Sequence, residues 1–210
     1  MVQGWQDQQG WQVTGHSLNS YFYTVQKISN AELGRPSLDE LKSLDRLPVH
    51  LVLDNVRSAL NTGSVFRTAD AFRIAKIHLC GITAAPPHRE IQKTALGSTE
   101  SVPWQYWENT LDAVKQLQSL GIKVLAVEQV KDSISLVEFT LPQSEIALIF
   151  GHEMEGVAQE VVNACDGSIE IPQEGIKHSL NISVSAGILC WELWKQIKNR
   201  DQGPETGDQS

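Results

Sequence analysis

Nowhere do the 210 residues contain the run of about 18 apolar residues that a membrane-spanning helix needs. The opening MVQGWQDQQGWQ has neither the basic start nor the apolar stretch of a signal peptide, so the expected setting is cytoplasmic, with no membrane partner. Cysteine is scarce and scattered. Cys80, Cys165 and Cys190 form no Cys-x-x-Cys pair and share no Cys/His spacing, which argues against a metal site and against a disulfide framework and leaves three buried thiols as the expectation. Positive charge is also short: 17 Lys and Arg face 25 Asp and Glu, a net charge of -8, so the whole surface cannot attract nucleic acid. The shortage is uneven, however. Residues 54–100 hold six Lys/Arg against four Asp/Glu, and residues 151–210 hold four against ten, so a nucleic acid, if one binds, should sit near the former.

What is present is an ordinary globular composition, 41% hydrophobic and 20% charged, in a length that suits one α/β domain with short tails. Residues 1–20 and 199–210, rich in Gln, Gly, Ser and acids, read as mobile tails, and 21–48 as a short N-terminal extension. Within that extension Ser37 and Glu40 predict a capping box opening a helix over 37–46. From residue 49 strands and helices alternate. Strands are expected at 49–54, 76–80, 102–106, 122–128, 146–150 and 168–171, and helices at 61–72, 88–96, 109–119, 157–164 and 180–198. Such alternation implies an α/β fold, a mainly parallel sheet with helices on both faces, over 49–198. Ligands of these sheets gather where strands end and loops begin.

Three strand ends carry unusual residues. In LDNVRSALNTGSVFRTADAF (53–72), Asn61 and Thr62 stand near the expected helix start, and Arg67 follows Asn61 by six residues, about 600° around an ideal helix. Taken alone, Asn61 is a helix cap and Arg67 a surface ion pair. In IFGHEMEGV (149–157) a strand ends in Gly-x-Glu-x-x-Gly, where Gly151 permits close backbone approach or positive φ and Glu153 puts a carboxylate beyond the sheet; alone, it is a turn with solvated acids. In IEIPQEGIKHSLNISVSAGILCWELW (169–194) a strand ends at Pro172, a polar loop follows, and Ser179 is placed to cap a nearly all-apolar helix, with Asn181 offering an amide at its positive end.

Each segment is weak alone, but the ordered set Asn-x5-Arg, Gly-x-Glu-x2-Gly and Ile-Pro-x6-Ser-Leu-Asn in one α/β chain resembles the SpoU/TrmH branch of the SPOUT RNA methyltransferases over roughly residues 49–198. The resemblance implies a deep C-terminal trefoil knot, S-adenosyl-L-methionine as cofactor, a homodimer, and 2'-O-methylation of a ribose in RNA. It implies cofactor contacts from Gly151, Ile171 and Leu180, with Ala126 and Val127 as the remaining wall. It also implies Arg67 as the central catalytic residue, with Asn61, Ser179 and Asn181 orienting the ribose and Glu153 supporting the arginine or the cofactor region. A guanidinium with a pKa above about 12 is poorly suited to be a general base, so Arg67 is read as a phosphate clamp that stabilises the forming alkoxide.

The loop wording resembles tRNA D-loop guanosine methylases more than the rRNA branch. Substrate choice would rest on Arg57, Arg73, Lys76, Arg89, Lys93 and Lys177, or on an accessory protein. The rivals are an rRNA ribose methyltransferase, a base methyltransferase of the same fold, and a non-catalytic knotted RNA-binding dimer, against which stands the intact set of five catalytic positions. Helix 180–198, apolar nearly all round, needs burial on every side and predicts the dimer contact.

Overall fold

The computed structural model describes residues 26–29, 32–176 and 179–201. The expected tail 1–20 and most of the tail 199–210 lie outside them. Residues 1–36 and 37–210 form separate units. In the first, the Ser29 amide and hydroxyl donate to the Glu32 carboxylate at 2.7 and 2.6 Å. The second contains the sheet, and it begins before the expected extension ends.

Helix α1 (Leu38–Ser43) has the expected capping box, with Glu40 accepting from the Ser37 amide at 2.8 Å and donating its own amide to the Ser37 hydroxyl at 3.3 Å. It stops short of residue 46, because Leu44 is already extended and Arg46 turns back to donate to the carbonyls of Ile74 and Ser101. Strand β1 (Leu47–Asp54) therefore starts two residues earlier than its apolar run suggests, with the Leu47 amide bonded to the Arg73 carbonyl. There follow α2 (Ala59–Ala71), β2 (Ile74–Cys80), α3 (Arg89–Ala95), α4 (Ser98–Ser101), β3 (Trp104–Trp107), α5 (Thr110–Ser119) and β4 (Lys123–Val127). The second half continues with β5 (Ile134–Ser135), β6 (Ile146–Phe150), α6 (Gln159–Ala164), β7 (Gly167–Glu170) and α7 (Ile182–Asp201). The sequence reading lacks α4 and β5, four and two residues long, which are too short to carry a period.

The strands form one seven-stranded sheet in the order β3-β2-β1-β6-β4-β7-β5, and every pairing is parallel. Parallel strands need crossovers that cover the faces, and both faces are covered here. On one, α2, α3 and α7 pack Phe66, Ile91, Leu189 and Leu193 against Leu51, Leu53 and Leu79. On the other, α5 and α6 pack Val114, Leu117 and Val161 against Val52, Ala126 and Ile149. Of the three cysteines, Cys80 and Cys190 are buried as expected, while Cys165 is only partly so; burial pushes all three thiols up to about 12.

Two helix starts differ from the sequence reading. The cap of α2 is Ser58, whose hydroxyl accepts from the Asn61 amide at 3.2 Å, so Asn61 and Thr62 lie inside the first turn. The cap of α7 is Asn181, not Ser179: its side-chain oxygen accepts from the amide and the hydroxyl of Ser183 at 2.8 and 2.7 Å. Helix α7 also runs to Asp201, into the expected tail, where the Arg200 guanidinium donates to the carbonyls of Leu141 and Pro142. One face of α7 meets α2 and the sheet, but Val184, Ile188 and Trp191 are exposed, so the burial expected on every side is not met within one chain. Trp191 stacks on Trp194 with ring centroids 5.2 Å apart, and both lie 6.3 Å from Phe72.

From the amino end of β1 to the carboxyl end of β3, the α5 face carries a largely buried polar chain that the sequence did not announce. His50 Nδ1 lies 3.0 Å from His78 Nε2, His50 Nε2 lies 3.2 Å from the Glu145 carboxylate, and Trp107 Nε1 donates to His78 Nδ1 at 3.0 Å. An indole nitrogen can only donate, which fixes every proton along the chain. His78 accepts at Nδ1 and donates from Nε2 to His50, which donates from Nε2 to Glu145; both rings are neutral. Lys76 lies nearby, bonded to Gln105 at 2.7 Å.

Candidate active site

The carboxyl ends of β1, β6, β4 and β7 are adjacent in the sheet, so the three marked segments meet at one end of it. The loop after β6 is closed by its own backbone: His152 and Gly156 exchange amide-carbonyl bonds at 3.0 and 2.8 Å, and His152 Nδ1 accepts from the amides of Met154 and Glu155. Of the two reasons expected for Gly151, the structure supplies close backbone approach and not positive φ. A Cβ on it would overlap the backbone of Gly156 and Val157, so its bareness lets the two limbs of the loop touch, and its φ is not positive. The positive φ belongs to Gly156, at +71°.

At the tip of this loop Glu153 reaches across to the start of α2. Its carboxylate accepts from the amides of Arg57 and Ser58 at 3.1 and 3.0 Å and from the side-chain amide of Asn61 at 3.2 Å. Partial burial on its own raises the Glu153 carboxyl, but these donors outweigh it and hold the group below the usual carboxylate range. Glu153 is thus an ionised acceptor at the positive end of α2, where a negative charge is favoured, and not a proton donor. Asn61 in turn accepts from the Asn181 side chain at 3.2 Å. Three of the five expected catalytic residues, one from each segment, therefore form a continuous chain Glu153-Asn61-Asn181.

Beside this chain lies a cavity of about 490 Å³, lined by Val127 and Glu128 after β4, by Phe150 to Gly156 after β6, and by Ile171, Ser179, Leu180, Asn181 and Ile182 around the third segment. Of the expected cofactor contacts Gly151, Ile171, Leu180 and Val127 line it. Ala126 does not: its side chain is fully buried between the sheet and α5, because alternation along β4 turns it to the opposite face from Leu125 and Val127. Ser179 lines the cavity without a hydrogen bond among the described residues. Four carboxylates, Glu128, Glu153, Glu155 and Glu170, border it, and no Lys or Arg does so among the described residues. Glu128 was missed by sequence reasoning; its only signal was a charge closing the apolar run IKVLAVE.

Arg67 stands apart from this cluster. Asn61 lies within the regular turns of α2, so the six-residue spacing carries Arg67 about 9 Å further along the axis and off the Asn61 face. It is exposed, has no ion-pair partner among the described residues, and borders a second, open hollow with Ser64, Thr68, Phe72, Thr94, Ser183 and Gly187. The first turns of α7 separate the two hollows, with Asn181 and Ser185 on one and Ser183 and Gly187 on the other. Arg73 immediately precedes β2 and Lys76 lies near its start, at the far end of the sheet from the cavity, while Arg57 and Arg89 are exposed and Lys93 is paired with Glu90 at 2.6 Å. Lys177 lies outside the described residues.

A parallel α/β sheet whose carboxyl-end loops enclose an acidic, partly apolar cavity defines a ligand-binding α/β protein of the kind that takes a nucleoside-sized molecule. The chain belongs to the SpoU rRNA Methylase family, whose sequence profile matches residues 48–191. It is 30% identical over 166 residues to the 23S rRNA (guanosine-2'-O-)-methyltransferase RlmB of Vibrio vulnificus, covering 79% of this chain and 66% of that protein. It is 34% identical over 146 residues to an uncharacterized tRNA/rRNA methyltransferase of Archaeoglobus fulgidus, covering 70% of this chain and 64% of the relative. Among solved structures, the AdoMet-bound rRNA methyltransferase of Sinorhizobium meliloti is similar with a TM-score of 0.67 and 27% identity, over 75% of this chain and 60% of that one. This chain thus spans about two thirds of the length of these curated relatives. Among the described residues, no helix is long and apolar enough to cross a membrane and no group of His, Cys, Asp and Glu is placed to hold a metal ion.

Proposed function

We propose that the chain is an S-adenosylmethionine-dependent RNA methyltransferase acting on a ribose 2'-hydroxyl. The observation that carries this reading is the convergence of the three segments: Glu153 and Asn181, which line the 490 Å³ cavity, are joined to each other through the side chain of Asn61. The lining suits the cofactor. Its volume lies within the usual range for small-molecule sites, Val127, Ile171 and Leu180 supply apolar surface for an adenine, and the four carboxylates match a ligand whose sulfonium and ammonium outweigh its carboxylate. When bound, the cofactor supplies an electrophilic methyl group. The protein's task is to hold the ribose oxygen in line with it. Asn61 and Asn181 present amides able to bond sugar hydroxyls, Ser179 offers a hydroxyl that bonds to none of the described residues, and Glu153 fixes Asn61. Arg67, in its open hollow and unpaired among the described residues, is placed to grip a backbone phosphate.

The knot is part of the same proposal, supported by the sheet order in which β6 lies between β1 and β4 and the loops after β4, β6 and β7 meet on one cavity. So is the homodimer, supported by the exposed Val184, Ile188 and Trp191 along α7. Light scattering at micromolar concentration is expected to give twice the chain mass of 23.3 kDa, and a monomer would remove α7 from any self-contact.

The substrate is proposed to be structured RNA, with tRNA placed first by the wording of the third segment. The rRNA reading is favoured by the similarity to 23S rRNA (guanosine-2'-O-)-methyltransferases. Both are tested together. The purified protein is incubated with labelled cofactor and with tRNA or rRNA, and the product is digested to nucleosides. A ribose-methylated nucleoside resistant to alkaline cleavage is expected from one RNA. A methylated base instead, or no transfer to either, would overturn the assignment.

A further inference from the structure

Glu128 stands immediately after β4, in the lining of the cavity, and its only role so far is as one of four negative charges. Its carboxylate is held with unusual care for a half-buried surface acid. Oε1 accepts from the Gln129 amide at 3.0 Å, and Oε2 accepts from the Val157 amide, across the β6 loop, also at 3.0 Å. Gly156 completes the seat, since a Cβ there would overlap Oε2. Two backbone amides therefore fix both oxygens, while a carboxylate offers about four acceptor positions. The two that remain belong to a group whose orientation is set before any ligand arrives.

A point charge gains little from fixed orientation, and Glu155 and Glu170 on the same cavity already supply negative charge without it. An oriented pair of acceptor oxygens suits a ligand with two adjacent O–H donors, as an acidic side chain beyond a strand does for the ribose of dinucleotides. We infer that Glu128 is a cofactor-contacting residue whose carboxylate accepts hydrogen bonds from the vicinal 2'- and 3'-hydroxyls of the adenosine ribose, and that it thereby selects a ribonucleoside ligand. This rests on the reading of the cavity as an adenosylmethionine site. It adds a side-chain contact to a cofactor otherwise assigned to backbone and apolar groups.

The test is a cycle between protein and ligand, read by calorimetry and independent of turnover. Wild type is titrated with S-adenosylhomocysteine and with its 2',3'-dideoxy analogue, and Glu128→Gln is titrated with the same pair. Loss of the diol is expected to cost wild type tenfold or more in affinity, because a hydrogen bond to a charged acceptor is among the stronger ones. In Glu128→Gln that ratio is expected to fall close to one. Gly156→Ala disturbs the same seat without removing the acceptor, so it is expected to weaken both ligands while keeping a preference for the diol. If Glu128→Gln weakens both ligands equally, or does not fold while wild type shows no diol preference, Glu128 only seats the loop and the inference is overturned. Failure of wild type to bind S-adenosylhomocysteine at all would instead overturn the cofactor reading itself.

Discussion

Arg67→Ala is expected to lower the single-turnover rate of methyl transfer at least about a hundredfold, a loss near 2.7 kcal/mol of transition-state stabilisation, while cofactor affinity and thermal stability stay close to wild type. The separation of effects follows from where the residue lies. Arg67 is exposed, bonds to no described residue and lies outside the 490 Å³ cavity, so its removal costs neither packing nor cofactor contacts. Glu153→Ala should behave differently. It would strip the acceptor from the amides of Arg57 and Ser58 and from Asn61, and so loosen the start of α2 as well. Arg67→Lys divides two roles: a planar fork gripping phosphate through two bonds predicts little rescue, whereas a charge alone predicts substantial recovery. An alanine variant as fast as wild type would reduce Arg67 to a surface residue.

The second large effect concerns pH. The His50-His78 chain is expected to make the fold lose stability as pH falls from about 6.5, well before ordinary carboxylates are protonated. Burial is the main reason that both imidazoles titrate low. For His78, brought down to about 3, the neighbouring His50 and Lys76 add to it, and for His50 the Glu145 carboxylate opposes it in part. The geometry gives the same sign. A proton on His78 Nδ1 would face the Trp107 N–H, and one on His50 Nδ1 would face the His78 Nε2–H, in each case donor against donor. The folded value lies below the unfolded one, so the unfolded chain binds the proton first. The stability is complete above the unfolded value near 6.5 and is lost as pH falls toward the folded value.

For one proton the slope is about 1.4 kcal/mol per pH unit, so His78 alone contributes a loss of about 2.7 kcal/mol two units below 6.5. Urea unfolding at pH 7.0, 5.5 and 4.5 measures it. In His78→Gln the side-chain oxygen can accept from Trp107 and the nitrogen donate to His50, without titrating. Most of the dependence in this window should then disappear. An unchanged slope would mean that other groups carry it.

Much of this architecture is legible in the sequence, and the gaps have physical causes. The long apolar runs of β1 and β6 and the capping box at Ser37 placed most elements within a few residues, because hydrophobic period and capping are local properties. The start of α7 was misplaced between two polar residues, Ser179 and Asn181, either of which can cap. In the site, the meeting of Glu153, Asn61 and Asn181 joins residues up to 120 positions apart, which spacing could not show and the family resemblance could imply. Ala126 was placed on the cavity although strand alternation sends it to the other face. Gly151 was read as permitting close backbone approach or positive φ; the approach is that of its own loop's other limb, and the positive φ falls on Gly156. The histidine chain links three strands through residues that look unremarkable one at a time.

The all-parallel sheet also constrains the order in which the chain can be completed during synthesis. No strand pairs with its neighbour through a tight hairpin, and the core around Phe66 closes only when Leu189 and Leu193 of α7 pack beside it. Until about 120 further residues have left the ribosome, the part of α2 that faces α7 has no final partner. Such late, non-local closure makes folding slow and leaves apolar surface open to association in the interval, so the nascent chain is the form of this protein most dependent on chaperone cover.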